Sequence, residues 1–217
     1  LLEDLKAWII ARTDLDDYKN ILFDDERLQN RLKLFKNFTL PCLAQQRLIE
    51  ERLEGTSIHK LQVFLATSQQ LPENHKQKLD ELSEEYSWLN ICYLPSSGVS
   101  LETVATDYIE KLYNNIEKPI LYSSIRLDDD DVLSVDFLDR LEMYVTKENI
   151  GRAITFANGY YGVYSSETNS FTQTSDLFSP KLALGLAFIN KYDKNGYSNG
   201  IKTIYGAGNH TRIDRRI

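Results

Sequence analysis

Short apolar runs alternate with amphipathic stretches of about a dozen residues, and this pattern leaves the chain few ways to bury its surface. The runs Ala7 to Ala11, Leu61 to Ala66, Leu89 to Leu94 and Ile120 to Leu127 read as strands. Between them, Asp24 and Asp25 open a helix with Leu28, Leu32, Phe35 and Phe38 inward, stopped near Pro41. A charged helix with Leu79, Leu82 and Tyr86 follows Pro72, and Ser100 caps one carrying Val104, Tyr108 and Leu112. Strands separated by helices of this length imply an α/β fold: a mostly parallel sheet flanked by helices, with ligands at the carboxyl ends of the strands. Ser134 caps a further helix, with Phe137, Leu138, Leu141 and Val145 inward. Past Gly151 the period changes. Ile154 to Phe156, an Asn158-Gly159 turn, Tyr160 to Tyr164, a loop over Ser165 to Ser170 and Phe171 to Thr174 read as a smaller antiparallel β part. The expected organisation is a single domain over 1–217, with an α/β half over 1–150 and a β-rich remainder over 151–217.

Composition narrows the partners. With 32 acidic and 25 basic side chains the formal charge is −7, which repels a nucleic-acid backbone at long range. The apolar runs, Leu182 to Ile189 included, are far too short for a bilayer span, and no amino-terminal apolar block has basic flanks. A soluble, cytoplasmic chain is expected. It begins at Leu1 and ends on a charged run to Ile217, as a piece of a longer protein would. Cys42 and Cys92 lie outside any zinc or CxxC spacing and read as reduced core thiols.

The strongest chemical signal is Asp128-Asp129-Asp130-Asp131 at the end of a predicted strand. Four adjacent carboxylates repel one another unless a cation or solvent relieves them. Residues i and i+2 point the same way, and hard oxygens so placed suit Mg²⁺ or Mn²⁺ with positions left for phosphate oxygens. The plainer alternative is a solvated acidic turn before the next helix. A second cluster, Arg12-Thr13-Asp14-Leu15-Asp16-Asp17, has the same Arg-x-Asp-x-Asp-Asp spelling as Arg126 to Asp131. Spelling does not choose between them. The later cluster follows the longer strand and runs directly into a capped helix, which favours it.

Several ordered blocks resemble the bacterial rhamnosyltransferase family, whose members look like GT-A type glycosyltransferases. They are Arg12-Thr13 after the opening strand, Arg31-Leu32-x-Leu34-Phe35-x-x-Phe38-Thr39-Leu40-Pro41-x-x-x-x-Gln46, Arg126-Leu127-Asp128-Asp129-Asp130-Asp131, and Gly159-Tyr160. The resemblance runs from about Trp8 to His210. It implies a nucleotide-sugar donor across the strand ends and an Asp-x-Asp motif holding Mn²⁺ or Mg²⁺, here Asp128 and Asp130, with Asp129 and Asp131 beside the ion or the donor sugar. Asp129 stands where the family pattern carries an asparagine. His210 is placed to complete the metal shell, and Arg126 and Arg212 to meet the donor phosphates. Arg12, Thr13 and Asp14 would line the nucleotide pocket by the same analogy. His59 and His75 lie in charged stretches and read as superficial.

For transfer, a carboxylate must take the acceptor's proton, and Asp176 is the first candidate because it follows the β-rich part where an acceptor would dock. Tyr160 is the acceptor-side residue, able to stack on a sugar ring. The resemblance implies a surface polysaccharide or glycolipid acceptor, with peripheral contact at the inner face of the membrane. Two rivals use the same residues: a carbohydrate or divalent-ion binding module without catalysis, and a metal-dependent nucleotidyltransferase.

Overall fold

Asp24 starts the helix that follows it because its carboxylate accepts from the backbone N–H of Arg27 at 2.8 Å, satisfying a donor that a helix start leaves free. The computed structural model describes residues 20–53, 61–95, 99–113, 119–165, 167–180 and 182–207. The strand expected over Ala7 to Ala11 lies outside them. Helix α1 (Asp25–Leu34) passes through a π-helical turn (Phe35–Thr39) directly into α2 (Leu40–Leu53). The helix therefore does not stop near Pro41, contrary to expectation. In the π turn the Leu40 N–H donates to the Phe35 carbonyl five residues back. This wider turn accommodates a proline ring that lacks an N–H and would collide with the carbonyl four residues back in a regular α-helix.

Strands β1 (Val63–Ser68) and β2 (Leu89–Leu94) pair in parallel, Val63 with Leu89 through Ser68 with Leu94, connected by α3 (Glu73–Glu85). Ser100 caps α4 (Leu101–Tyr113) as expected, its Oγ accepting from Thr103 N at 3.2 Å. Then follow β3 (Ile120–Arg126), the short α5 (Phe137–Glu142), β4 (Ala153–Ile154), β5 (Asn158–Ser165), β6 (Ser170–Phe178), β7 (Leu186–Asp193) and β8 (Gly196–Tyr197). The second sheet has the order β3-β7-β4, with β8 on β7, and each of these pairings is antiparallel.

The chain is thus mixed α/β, but parallel pairing among the described strands is confined to β1–β2, against the expectation of a mostly parallel sheet. The reason lies in β7. Its run Leu186, Ala187, Phe188 and Ile189 is buried, so the strand needs a neighbour on each side, and it finds them by lying between β3 and β4. In the sequence this run reads only as an apolar stretch too short for a membrane, with no strand assigned to it. At its start Gly185 has φ +68°, and a Cβ there would lie 2.7 Å from the Phe137 ring, so both conformation and space call for glycine.

The Asn158-Gly159 turn is also corrected. Both residues lie within β5, opposite Phe178 and Leu177, and the ladder is extended by the Ser179 N–H donating to the Ala157 carbonyl at 2.8 Å. The reversal comes in the expected loop instead, where Asn169 takes φ 51°.

The larger core joins Phe35, Leu40, Cys42 and Leu43 of the helical layer to Leu79, Leu82, Trp88 and Leu89, and to Leu133, Phe137 and Leu141. A second cluster gathers Leu186, Phe188, Ile204 and Ala207. Both cysteines are free thiols. Among the described residues no helix is long and apolar enough to cross a membrane.

Candidate active site

The four aspartates lie directly beyond the carboxyl end of β3 and close on themselves. Asp131 N donates to the Asp128 carbonyl at 3.2 Å, and Asp128 N donates to Asp131 Oδ2 at 3.3 Å. This reciprocal pairing folds the tetrad into a tight turn in which the charges of Asp128, Asp129 and Asp130 all act on Asp131.

Their repulsion is relieved from within the chain. Arg31 of α1 sends Nε to Asp129 Oδ2 at 3.0 Å and Nη2 to Asp129 Oδ1, a bidentate fork, while its Nη1 donates to Asp130 Oδ2 at 3.0 Å. Burial lowers the guanidinium's proton affinity, but the bonds to Asp129 and the charges of Asp130 and Asp128 outweigh it, so Arg31 titrates above its ordinary range.

Three further side chains of the same helical layer grip the segment. Thr39, buried at the end of the π turn, donates to the Asp129 carbonyl at 3.0 Å. The Cys42 sulfur accepts from Leu133 N at 3.4 Å. Gln46 Nε2 donates to the Ser134 carbonyl at 2.7 Å, and its Oε1 accepts from Leu138 N at 3.1 Å. Positions 39, 42 and 46 recur at helical spacing, which puts all three on one face. Gln46 also corrects an expectation about Ser134. Helix α5 begins at Phe137, and a free N–H of its first turn is met by Gln46 rather than by a Ser134 side-chain cap.

Protonation differs within the turn. Burial, reinforced by the charges of Asp128, Asp130 and Asp129, pushes the Asp131 carboxyl up from 3.8 to about 6, with the bond from Asp128 N opposing. Tyr205 completes the surroundings. The segment after β8 crosses β3, with Ile204 N donating to Ser124 Oγ at 2.8 Å and the buried Asn190 holding the Ile201 carbonyl at 3.0 Å. This brings Tyr205 into the electrostatic field of Arg126 and Asp128, and burial raises its phenol, helped by Asp128 and opposed by Arg126.

Arg126, Asp128, Asp129, Asp130 and Asp131 therefore form one cluster. Tyr160 and Asp176 stand elsewhere, directly opposite each other on β5 and β6 and both exposed. The far end of that ribbon reaches the helical layer, where Phe38 packs on Tyr164 and Phe171 with ring centroids 5.0 and 5.5 Å apart. Arg12, Thr13, Asp14, His59, His210 and Arg212 lie outside the described residues. His75 is not superficial. It is buried, with Nε2 2.7 Å from Asp25 Oδ1, and so joins α3 to the start of α1.

Sequence reasoning gave no role to Arg31, Thr39, Gln46 or Tyr205. The first three carried a signal, since all stand in the Arg31 to Gln46 block, but that pattern does not say what the side chains touch.

Among the described residues no group of three or more His, Cys, Asp or Glu is arranged to hold a metal ion. The turn offers the Asp128 carboxylate and the Asp130 oxygen that Arg31 leaves free. Carboxylate oxygens are the hard donors that Mg²⁺ and Mn²⁺ take, usually one or two of them beside phosphate oxygens and water.

No curated protein and no solved structure matches the chain. The sequence model of one family, described as "Putative rhamnosyl transferase", matches residues 7–205, a span that takes in the acidic turn, the helical block that grips it and Tyr205. By that match the chain belongs to the family described as putative rhamnosyl transferases, a family named for glycosyl transfer.

Proposed function

We propose that this protein is a GT-A type, metal-dependent glycosyltransferase that moves a sugar from a nucleotide-diphosphate donor to a glycan or glycolipid acceptor. The observation that carries the reading is the acidic turn at the end of β3, bonded by Arg31 and Thr39, with Cys42 and Gln46 of the same helical layer holding the segment just after it and Arg126 and Tyr205 beside it. A mere solvated turn would not need so many anchors. Catalysis of this kind depends on donors and charges already in place when the reaction begins.

In this reading Asp128 and Asp130 hold Mg²⁺ or Mn²⁺, with His210, five residues on from Tyr205 in sequence, as a further ligand. The ion, when bound, offsets the negative charge that builds on the departing diphosphate. Arg31 keeps Asp129 and Asp130 from presenting uncompensated charge, which would repel the donor's phosphates. Arg126 and Arg212 meet those phosphates, and Arg12, Thr13 and Asp14 line the nucleotide pocket. An acceptor hydroxyl oxygen attacks the anomeric carbon, the bond from that carbon to the diphosphate oxygen breaks, and a carboxylate takes the hydroxyl proton. Asp176 is the base candidate by sequence alone; it faces Tyr160 across the exposed β5–β6 ribbon and can take the proton only where the donor's anomeric carbon reaches that ribbon. In this reading the reaction runs in the cytoplasm, against the inner face of the membrane when the acceptor is lipid-linked.

Incubating the chain with a panel of nucleotide sugars, with and without Mn²⁺, tests this directly. Slow metal-dependent release of nucleoside diphosphate is expected from the correct donor even without acceptor. Release of pyrophosphate from a nucleoside triphosphate would instead make it a nucleotidyltransferase. Donor binding without turnover, even with acceptor present, would leave a binding module.

A further inference from the structure

The β5–β6 ribbon is the least covered part of the described chain: residues 158–163 and 170–176 are all exposed. One face carries the cross-strand pairs Asn158–Phe178, Tyr160–Asp176, Gly162–Thr174 and Tyr164–Phe171. Phe178 is 72% and Tyr160 80% exposed. Phe171 lies over Gly162, where a Cβ would come within 2.9 Å of the ring, so the missing side chain lets an aromatic ring lie flat along the strand. The result is a row of rings from Phe178 and Tyr160 through Phe171 and Tyr164 to Phe38.

Charge says what such a row suits. From Ala157 to Pro180 there is no lysine or arginine, and the only acids are Glu167 and Asp176, although 26% of the chain is charged. An anionic ligand finds carboxylate and no cation there. A protein partner gains no ion pair from basic groups. An uncharged polyhydroxyl chain finds aromatic faces for its C–H surfaces and hydroxyl, amide and carboxylate groups for its hydroxyls.

The row also leads somewhere. Its inner end rests on Phe38, and the next residue, Thr39, holds the Asp129 carbonyl. Tyr160 lies four residues before Tyr164 on β5, about 13 Å further out along an extended strand.

We infer that this ribbon face is a binding track for an uncharged oligosaccharide, reaching from Phe178 and Tyr160 to the edge of the acidic turn. The inference rests on the transferase reading only in making the bound chain the acceptor. It selects neutral acceptors over uronate- or phosphate-bearing ones, and it makes Phe38, Phe171 and Phe178 sugar-contacting residues.

The test probes an array of immobilised neutral oligosaccharides and uronic-acid-bearing counterparts with the full chain and with Tyr160→Ser and Phe178→Ser. Both positions are exposed enough for the variants to keep the fold, which far-UV circular dichroism checks. Retention on neutral members is expected, weakened at least about tenfold by either substitution, with no retention on uronates. Preference for uronates, no neutral binding, or binding that both variants retain would overturn the track. So would a wild-type dimer in light scattering that Phe178→Ser makes monomeric, because the face would then belong to a second copy. Donor hydrolysis by the wild-type chain separates the two readings. Hydrolysis without glycan retention removes the track alone, and glycan retention without hydrolysis removes the transferase and leaves the track.

Discussion

Replacing Gln46 with leucine should unfasten the segment behind the acidic turn, and the structure sets the size of the effect. Gln46 is 1% exposed and holds two backbone groups, the Ser134 carbonyl and the Leu138 N–H. Leucine fills similar space and can hold neither. Each buried group left without a partner costs about 1–3 kcal/mol, and the more apolar side chain offsets about 1 kcal/mol. The net loss is about 3 kcal/mol, or about 6–12 °C in Tm for a chain of 217 residues. Urea melts of wild type, Gln46→Leu and Gln45→Leu measure it. Gln45 is exposed, so its variant should stay within about 0.5 kcal/mol of wild type. Because the loss is an anchor under a turn rather than a ligand, the Mn²⁺-induced rise in Tm should shrink in Gln46→Leu as well. If both glutamine variants melt alike, water or backbone rearrangement satisfies these groups and Gln46 is not the fastener.

Arg31→Ala leaves Asp129 and Asp130 without their counter-charge. Since all three side chains are partly exposed, it should cost about 1–2 kcal/mol in EDTA, and added Mn²⁺ should recover more stability in the variant than in wild type. Equal Mn²⁺ responses would show that Arg31 is not what balances the turn. Asp131 holds its proton more tightly folded, near 6, than unfolded, near 3.8, so its contribution to stability is fully present below about pH 4 and is lost as pH rises through about 6. Asp131→Asn keeps an acceptor for Asp128 N, and in EDTA at pH 8 it should be more stable than wild type by about 1–2 kcal/mol after solvent screening, with a flatter profile between pH 4 and 7. An unchanged pH slope would refute the assignment. Asp128→Ala with Asp130→Ala should reduce metal-dependent donor hydrolysis by about 100-fold or more, and Asp14→Ala with Asp16→Ala should weaken nucleotide affinity less. The reverse ranking would move the metal to the earlier cluster.

Local pattern alone determined much of this protein. Asp24 as a cap, the strand Leu89–Leu94, the Ser100 cap, the strand before the tetrad and the loop near Asn169 all follow from side-chain spacing and backbone preference within a few residues. The repulsion among Asp128 to Asp131, and so the need for a counter-charge, is equally plain in the chain. What answers that need is not local. Arg31 stands 98 residues before Asp129, on a helix where a solvated arginine would be unremarkable. The same holds for β7, whose apolar run could not name β3 and β4 as neighbours, because strand register is set by partners far away in sequence. Gln46 reads as one polar residue in a helix until folding closes Ser134 and Leu138 around it. Short-range forces choose the elements from the sequence. Which carboxylate meets which cation, and which strand lies beside which, is decided only when burial brings distant groups within hydrogen-bonding distance.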